Sequence, residues 1–270
     1  MKVHVVTAVH NRYEITERFV DHLLEQTLQP IHLILVNDGS TDGTEDMVKK
    51  KMPAATILHG DGNLWWAGAL QKAFIWLKRN GEDGDVVMIS NDDIIFSQNY
   101  IATGVSLVRD TRLAVGSGYG LKSGELGDGL FQHSFIDGTG YLLKPGSEGN
   151  CASSRSLFLT VAQWKKIGGM HPVLLPQYFS DFEFTIRAHR RGFKLQSFEQ
   201  LKYQYDEGAT GYHSYEGLTA KKIFSKRSGM NPIYRLNFIL LTTPLRYLPS
   251  HLWHQLRRYA GKIKLIKKRK

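Results

Sequence analysis

At 270 residues the chain can bury one large α/β core, or a core of about 200 residues carrying an appendage. Apolar and charged fractions of 42% and 22% are those of a globular protein, and the single cysteine, Cys151, excludes an intramolecular disulfide and a thiol-based zinc site and points to a reducing compartment. The formal charge of +10 is partly local, with six Lys or Arg and no acid from Lys262 to Lys270; a basic terminus behind an aromatic-rich stretch suggests anionic lipid, where an evenly basic surface would suggest nucleic acid.

In chain order, Lys2 to Val9 reads as a buried strand, Asn11-Arg12 as a polar turn, and Ile15, Phe19, Val20, Leu23 and Leu24 as the apolar face of a helix. Ile31 to Val36 is a second strand. It runs into Asn37-Asp38-Gly39-Ser40-Thr41-Asp42-Gly43-Thr44, a loop by composition, where Asp42 and Glu45 can cap the next helix. Ala55 to Leu58 forms a third strand, Gly60 to Asn63 a loop, and Ala67 to Lys78 a helix with Leu70, Phe74 and Leu77 on one face. Asp85 to Ser90 is a fourth strand that stops at Asn91-Asp92-Asp93. Strand–helix alternation at this spacing implies a Rossmann-like, mostly parallel sheet flanked by helices, with ligands beyond the carboxyl ends of its strands. Asn11, Asp38, Asn63 and the acidic pair all fall at such ends.

Residues 116–150 are Gly-rich and read as irregular strands with a mobile loop. Ser154 to Val161 follows as a strand, Ala162 to Ile167 as a short helix, Asp181 to Arg191 as a helix, and Lys194 to Phe198 as a further strand. From Ile233 the chain is aromatic and basic. Leu248, Leu252 and Leu256, with Leu245 and Trp253, fit one helical face that either lies on anionic lipid or packs on the body. No stretch is long and apolar enough for a bilayer span and no leader pattern opens the sequence, so the expected location is cytoplasmic, peripheral on the inner face of the cytoplasmic membrane.

Chemistry concentrates in the acids. Adjacent carboxylates at a strand end repel, so Asp92-Asp93 suggests a compensating cation; hard ions such as Mg²⁺ or Mn²⁺ take one or two protein carboxylates and complete their shell with water and phosphate. A solvated turn is the plain alternative. Asp38 before Gly39 suits contact with a base or ribose, or an ordinary Asx-turn. Asp181, behind Tyr178 and Phe179, is a candidate general base that is also a good helix cap. Glu183 assists it or faces solvent. Of Trp65 and Trp66, one should pack in the core while the other lines a cleft. His133, His171 and His213 lie in loops from which a metal ligand could come. Serine hydrolase and P-loop motifs are absent.

Read together, these segments resemble the family 2 glycosyltransferases of the GT-A fold. Val3–Arg12 looks like the opening strand and turn, Val36–Thr44 is similar to the nucleotide-binding loop, and Gly62–Ala69 resembles the segment before the third helix, with Trp65-Trp66 where Gly-Phe is commoner. Ser90–Asp93 resembles the DxD-type metal motif, with Asn91 for its first acid. Phe179–Phe184, running on to Arg187 and Gly192-Phe193, resembles the segment carrying the general base, with Ser180 for the usual Glu. The resemblance implies an inverting transfer of a sugar from a nucleotide-diphosphate donor to a saccharide or lipid-linked acceptor hydroxyl, in bacterial surface polysaccharide or glycolipid assembly, with faint rhamnosyltransferase-like character. It assigns Asp181 as base and Asp93 as ligand of Mg²⁺ or Mn²⁺. The donor would be held by Thr7, Asn11, Arg12, Asp38, Asn63, Trp65, Trp66 and Asp92. The expected organisation is a GT-A catalytic domain over 1–230, with a nucleotide half near 1–95 and an acceptor half near 96–230, and a basic membrane-proximal helical extension over 231–270. Competing readings are a sugar-nucleotide nucleotidyltransferase, which lacks its glycine-rich phosphate loop, a non-catalytic binding protein on the same fold, and a nucleic-acid binder, which the acidic loops disfavour.

Overall fold

A computed structural model describes residues 1–207, 223–226 and 228–268. Four strands form the first half of the main sheet: β1 (Val3–Val9), β2 (Ile31–Asn37), β3 (Thr56–His59) and β4 (Val86–Ser90). They lie side by side in the order β3-β2-β1-β4, all parallel. Near-continuous apolar sequence fits strands covered on both faces. Helices α1 (Tyr13–Leu24), α2 (Thr44–Lys51) and α3 (Trp65–Asn80) make the crossovers. Two core layers result. On one face Val6, Ile34, Val36 and Ile89 meet Leu70, Ala73 and Leu77 of α3; on the other Val5, Leu33, Leu35 and Met88 meet Phe19, Val20 and Leu23 of α1. The parallel sheet between helices is as read from sequence.

Beyond β4 the sheet changes character. The short β5 (Ile94–Ile95) and α4 (Tyr100–Leu107) lead to β6 (Arg112–Gly120) and β7 (Leu126–Asp128). A small antiparallel sheet follows, of β8 (Leu130–His133), β9 (Gly140–Leu142) and β11 (Cys151–Ala152), while β10 (Glu148–Gly149) joins the main sheet. Strand β12 (Ser156–Thr160) then inserts between β4 and β6 and runs antiparallel to both. Ser156 therefore pairs with Ser90, and the residues leading into β12 meet the carboxyl end of β4. That reversal builds the site.

Helix α5 (Val161–Ile167) opens with a complete capping box between Thr160 and Gln163. Helix α6 (Ser180–Arg190) is followed by β13 (Lys194–Tyr205), which is longer than expected because an irregularity after Ser197 lets it continue along β6. Helix α7 (Pro232–Thr242) begins with an Asn231 cap and packs Phe238 on Cys151, Leu175 and Ile186. A short 3-10 turn (Leu245–Tyr247) leads to α8 (Leu248–Lys268). There Thr243 and His251 share a hydrogen bond, and Arg258 donates to the carbonyl of Asp137. No described helix is long and apolar enough to cross a membrane.

Candidate active site

The carboxyl ends of β1, β2 and β3 are tied together by their own side chains. Asn11, at φ +50°, accepts from the Thr41 amide and donates its amide to Ser40 Oγ. The Tyr13 amide donates to Asp42, and Asn37 reaches Ser40 and Glu45. Asp42 also receives the Thr44 amide and hydroxyl, while Glu45 bonds Asn37, Lys49 and His59. The capping pair expected of Asp42 and Glu45 is thus not formed: Gly43, at φ +85°, holds the cap position and leaves both acids to brace loops.

Asp38 is buried and points across this loop cluster. Oδ1 accepts from the Gly62 amide at 2.8 Å, and Oδ2 accepts from Leu64 at 2.9 Å and Trp65 at 3.3 Å. A Cβ on Gly39 would come within 3.0 Å of the Gly62 amide nitrogen, so glycine allows the two loops to touch. Asp38 therefore positions residues 62–65, and Asn63 stands exposed at their tip. Thr7 is fully buried inside β1 and its hydroxyl has no hydrogen-bond partner among the described residues.

The two tryptophans diverge as expected of neighbours. Trp65 starts α3 with φ +57°. Trp66 packs on the core and donates its indole N–H to Ser154 Oγ at 3.0 Å, and its backbone amide donates to Gln177. The Ser154 amide in turn lies 3.4 Å from Asp181 Oδ2. Asp181 sits in the first turn of α6, where the left-handed Phe179 (φ +68°) swings the chain into the helix. Burial pushes the Asp181 carboxyl up to about 6; the Phe182 amide restrains it, and the charge of Asp128 raises it further.

The acidic pair is compensated by arginines. Arg12 grips Asp92 with Nε and Nη2, each at 3.1 Å, and Thr16 donates to the same carboxylate. Burial still pushes Asp92 above the usual carboxylate range. With both oxygens engaged and 5% of the residue exposed, Asp92 braces the turn. Asp93 Oδ1 meets Arg155 Nη1 at 3.1 Å, and its Oδ2 lies 3.8 Å from Arg12 Nη2. Arg155 also reaches Asp128 at 3.0 Å and lies 4.6 Å from the Tyr205 ring centre, while Tyr203 donates to Asp128. Repulsion within the pair is therefore not what calls for a metal. Two guanidinium groups (12 and 155) thus serve three carboxyl groups (92, 93 and 128). Among the described residues no three His, Cys, Asp or Glu gather as a metal cluster. A cation that arrives with a diphosphate needs only one or two protein carboxylates, and Asp93 can supply one.

Sequence reasoning missed Arg155 and Asp128. Glu183 is buried and forms a two-point pair with Arg187, whose other donors hold the carbonyls of Ile167 and Gly169; it neither assists Asp181 nor faces solvent. His133 is buried against Phe135, Phe238 and His251, and His171 lies 3.9 Å from Glu183. His213 falls outside the described residues.

The remaining contacts form one continuous chain. Asp38 holds Trp65, the adjacent Trp66 touches Ser154, Ser154 lies on Asp181, and the adjacent Arg155 holds Asp93. Residues 38, 93 and 181 are thus linked, through residues 65–66 and 154–155, around the carboxyl end of one sheet.

Comparison with known proteins supplies the family. The profile described as "Glycosyl transferase family 2" matches residues 4–162. The glycosyltransferase GlyG of Streptococcus pneumoniae serotype 4 is 29% identical over 122 residues, which are 43% of this chain and 39% of that protein, so the chain spans about two fifths of this relative's length. Among solved structures, the mannosyltransferase PcManGT of Pyrobaculum calidifontis, in complex with GDP-Man and Mn²⁺, aligns with a TM-score of 0.56 at 16% identity, over 96% of this chain and 75% of that one. S. aureus TarS aligns with a TM-score of 0.59 at 14% identity, over 93% and 41%. The last two likenesses show the fold, a GT-A arrangement.

Proposed function

The chain belongs to glycosyl transferase family 2, and from that premise we propose that it moves a sugar from a nucleotide-diphosphate donor to an acceptor hydroxyl by a single inverting displacement. The carrying observation is the placement of Asp181: a carboxyl raised to about 6, beside Ser154 and Trp66, within one contact chain of the acidic turn. A base of that strength is mostly ionised at neutral pH yet accepts a proton better than an ordinary aspartate. As the acceptor oxygen bonds to the anomeric carbon, its proton passes to Asp181. The bond to the diphosphate breaks, and its electron pair leaves with the phosphate oxygen. A single displacement with Asp181 as base gives inversion.

On the donor side, Asn11, Asp38, Asn63 and Trp65 frame the nucleoside at the loops that end β1 to β3. Arg12 pairs with Asp92 while about 30% of its side chain stays exposed, and it is the proposed contact to phosphate. Asp93 is the residue that would hold a divalent ion, Mg²⁺ or Mn²⁺, which when bound supplies Lewis-acid stabilisation of the departing diphosphate. The Mn²⁺ and GDP-Man held by the Pyrobaculum calidifontis structural neighbour support this reading. The proposed organisation keeps residues 1–230 as the catalytic unit and 231–270 as the extension, with assembly of surface polysaccharide or glycolipid as the setting. A panel of UDP-, dTDP- and GDP-sugars, scored by nucleotide diphosphate release, tests the proposal. Release from at least one donor that fails with Asp181→Asn supports it; release unchanged in that variant removes Asp181 from the role.

A further inference from the structure

The charge of +10 is not spread over the molecule. Residues 217–270 hold 14 Lys or Arg and no Asp or Glu, which leaves 21 cations against 25 acids in residues 1–216. The catalytic body is slightly acidic and the last fifth of the chain is a polycation. Within that fifth, α7 carries an apolar stripe that faces away from the body. Ile233, Leu236 and Leu240 are exposed at helical spacing, while Phe238, Ile239 and Thr242 are buried on the opposite side. The Asn237 side-chain amide donates to the Leu174 carbonyl at 2.9 Å, which fixes the loop of Val173 (88% exposed) and Leu174 beside the stripe. Leu245, Trp253 and Leu256 continue the exposed apolar residues onto the next turn and α8, where Arg246 and Arg257 are also exposed.

This stripe lies close to the proposed chemistry. Phe179, two residues before Asp181, stacks on Phe238 with ring centres 5.2 Å apart and lies beneath the Arg235 guanidinium. The same loop gives Pro176 O to the Ala67 amide and Gln177 to Trp66. One thin layer of side chains therefore separates the exposed leucines from the start of α6. Nucleic acid would use the cations and leave the apolar stripe without a purpose; an anionic bilayer uses both.

We propose that Val173, Leu174, Ile233, Leu236 and Leu240 form a docking face for an anionic lipid bilayer, with the exposed Arg246 and Arg257 supplying cations beyond the stripe. Docking there brings the start of α6, with Asp181, toward the lipid surface, where an acceptor carried on a lipid would be presented. Only that last step rests on the sugar-transfer reading.

The test is co-sedimentation of the full chain with phosphatidylcholine vesicles, with and without phosphatidylglycerol. Wild type should bind the anionic vesicles, and Leu236→Glu/Leu240→Glu should weaken that binding roughly tenfold or more, the scale for withdrawing two partly inserted leucines. Because both positions are exposed, nucleotide-sugar hydrolysis by the double variant should match wild type, which separates failure of docking from failure of catalysis. Equal vesicle binding by the double variant and wild type would overturn the proposal. So would stronger binding to an oligonucleotide than to anionic vesicles. A vesicle-free dimer of wild type that the double variant loses would assign the stripe to a second copy instead.

Discussion

A carboxyl that titrates near 6 must lose its proton before it can take one from an acceptor, so activity should follow its ionisation. kcat/KM should be flat above neutrality and fall about tenfold per pH unit below about 6, as a raised carboxyl pKa requires. Asp181→Asn should keep donor affinity and lower kcat by roughly 10²-fold or more, measured with saturating donor, and should abolish that acid limb. Arg155 offers a second test. Its guanidinium, 11% exposed, bridges Asp93 and Asp128. Arg155→Ala leaves two inward carboxylates without their cation and should cost about 3 kcal/mol in urea unfolding, the usual penalty for breaking a buried pair. Arg155→Lys should recover only part of this, because a single ammonium cannot reproduce the two-point grip. Asp93 and Asp181 stood out in the sequence because each sits in a local motif. Arg155 was not: it reaches the acids only because β12 runs backwards beside β4, a pairing that no local pattern encodes.

At the scale of elements, the first four strands and their helices were readable because both of their periods are local, an apolar run for each covered strand and a three-to-four spacing for each helix. Helix α4 and strand β6 escaped. Helix α4 is two turns long and buries Gly104 where a Cβ would meet the Phe158 ring at 2.4 Å, so its packing depends on a glycine that reads as a breaker. Strand β6 holds Gly116, Gly118 and Gly120 beneath Tyr100, Tyr203 and Glu207, again small residues yielding space to large partners. The contact of β8 with α7 and α8 makes a further prediction. His133, on β8, faces Phe238 and His251, and burial lowers its pKa to about 4, with His251 lowering it further against the opposing pull of Asp137. Burial also lowers His251, helped by Arg258 and His254 and opposed by Asp137. A histidine depressed on folding binds its proton more readily when unfolded, so its share of stability is complete above about 6.5 and is lost as pH falls toward 4. Amide exchange over 232–258 should therefore accelerate between pH 7 and 5 relative to the β1–β4 sheet, and His133→Phe should flatten that dependence. An unchanged pH response in the variant would assign it to His251 alone.

At the scale of the whole molecule, the acids of the cleft link donor binding to global stability. Asp93 projects from the β4 end of the parallel half, and its partner Arg155 lies on the approach to β12; Asp181 enters from α6 in the later half of the chain. A ligand that binds only when these parts are assembled stabilises the fold by mass action, about 2.7 kcal/mol at a hundred times its Kd. For a chain of this size that is a rise in Tm of roughly 5–10 °C. The excess of carboxyl groups (92, 93 and 128) over guanidinium groups (12 and 155) sets the condition. A nucleoside diphosphate alone adds negative charge to a site already short of cations, so it should shift Tm little, and Mn²⁺ alone finds only one protein carboxylate to hold it. The two together should give the full shift for the nucleotide matching the donor base, and Asp93→Ala should lose it while Asp181→Asn retains it. A shift of equal size with nucleotide alone, in wild type and in Asp93→Ala, would show that the guanidinium groups of Arg12 and Arg155 carry the diphosphate unaided.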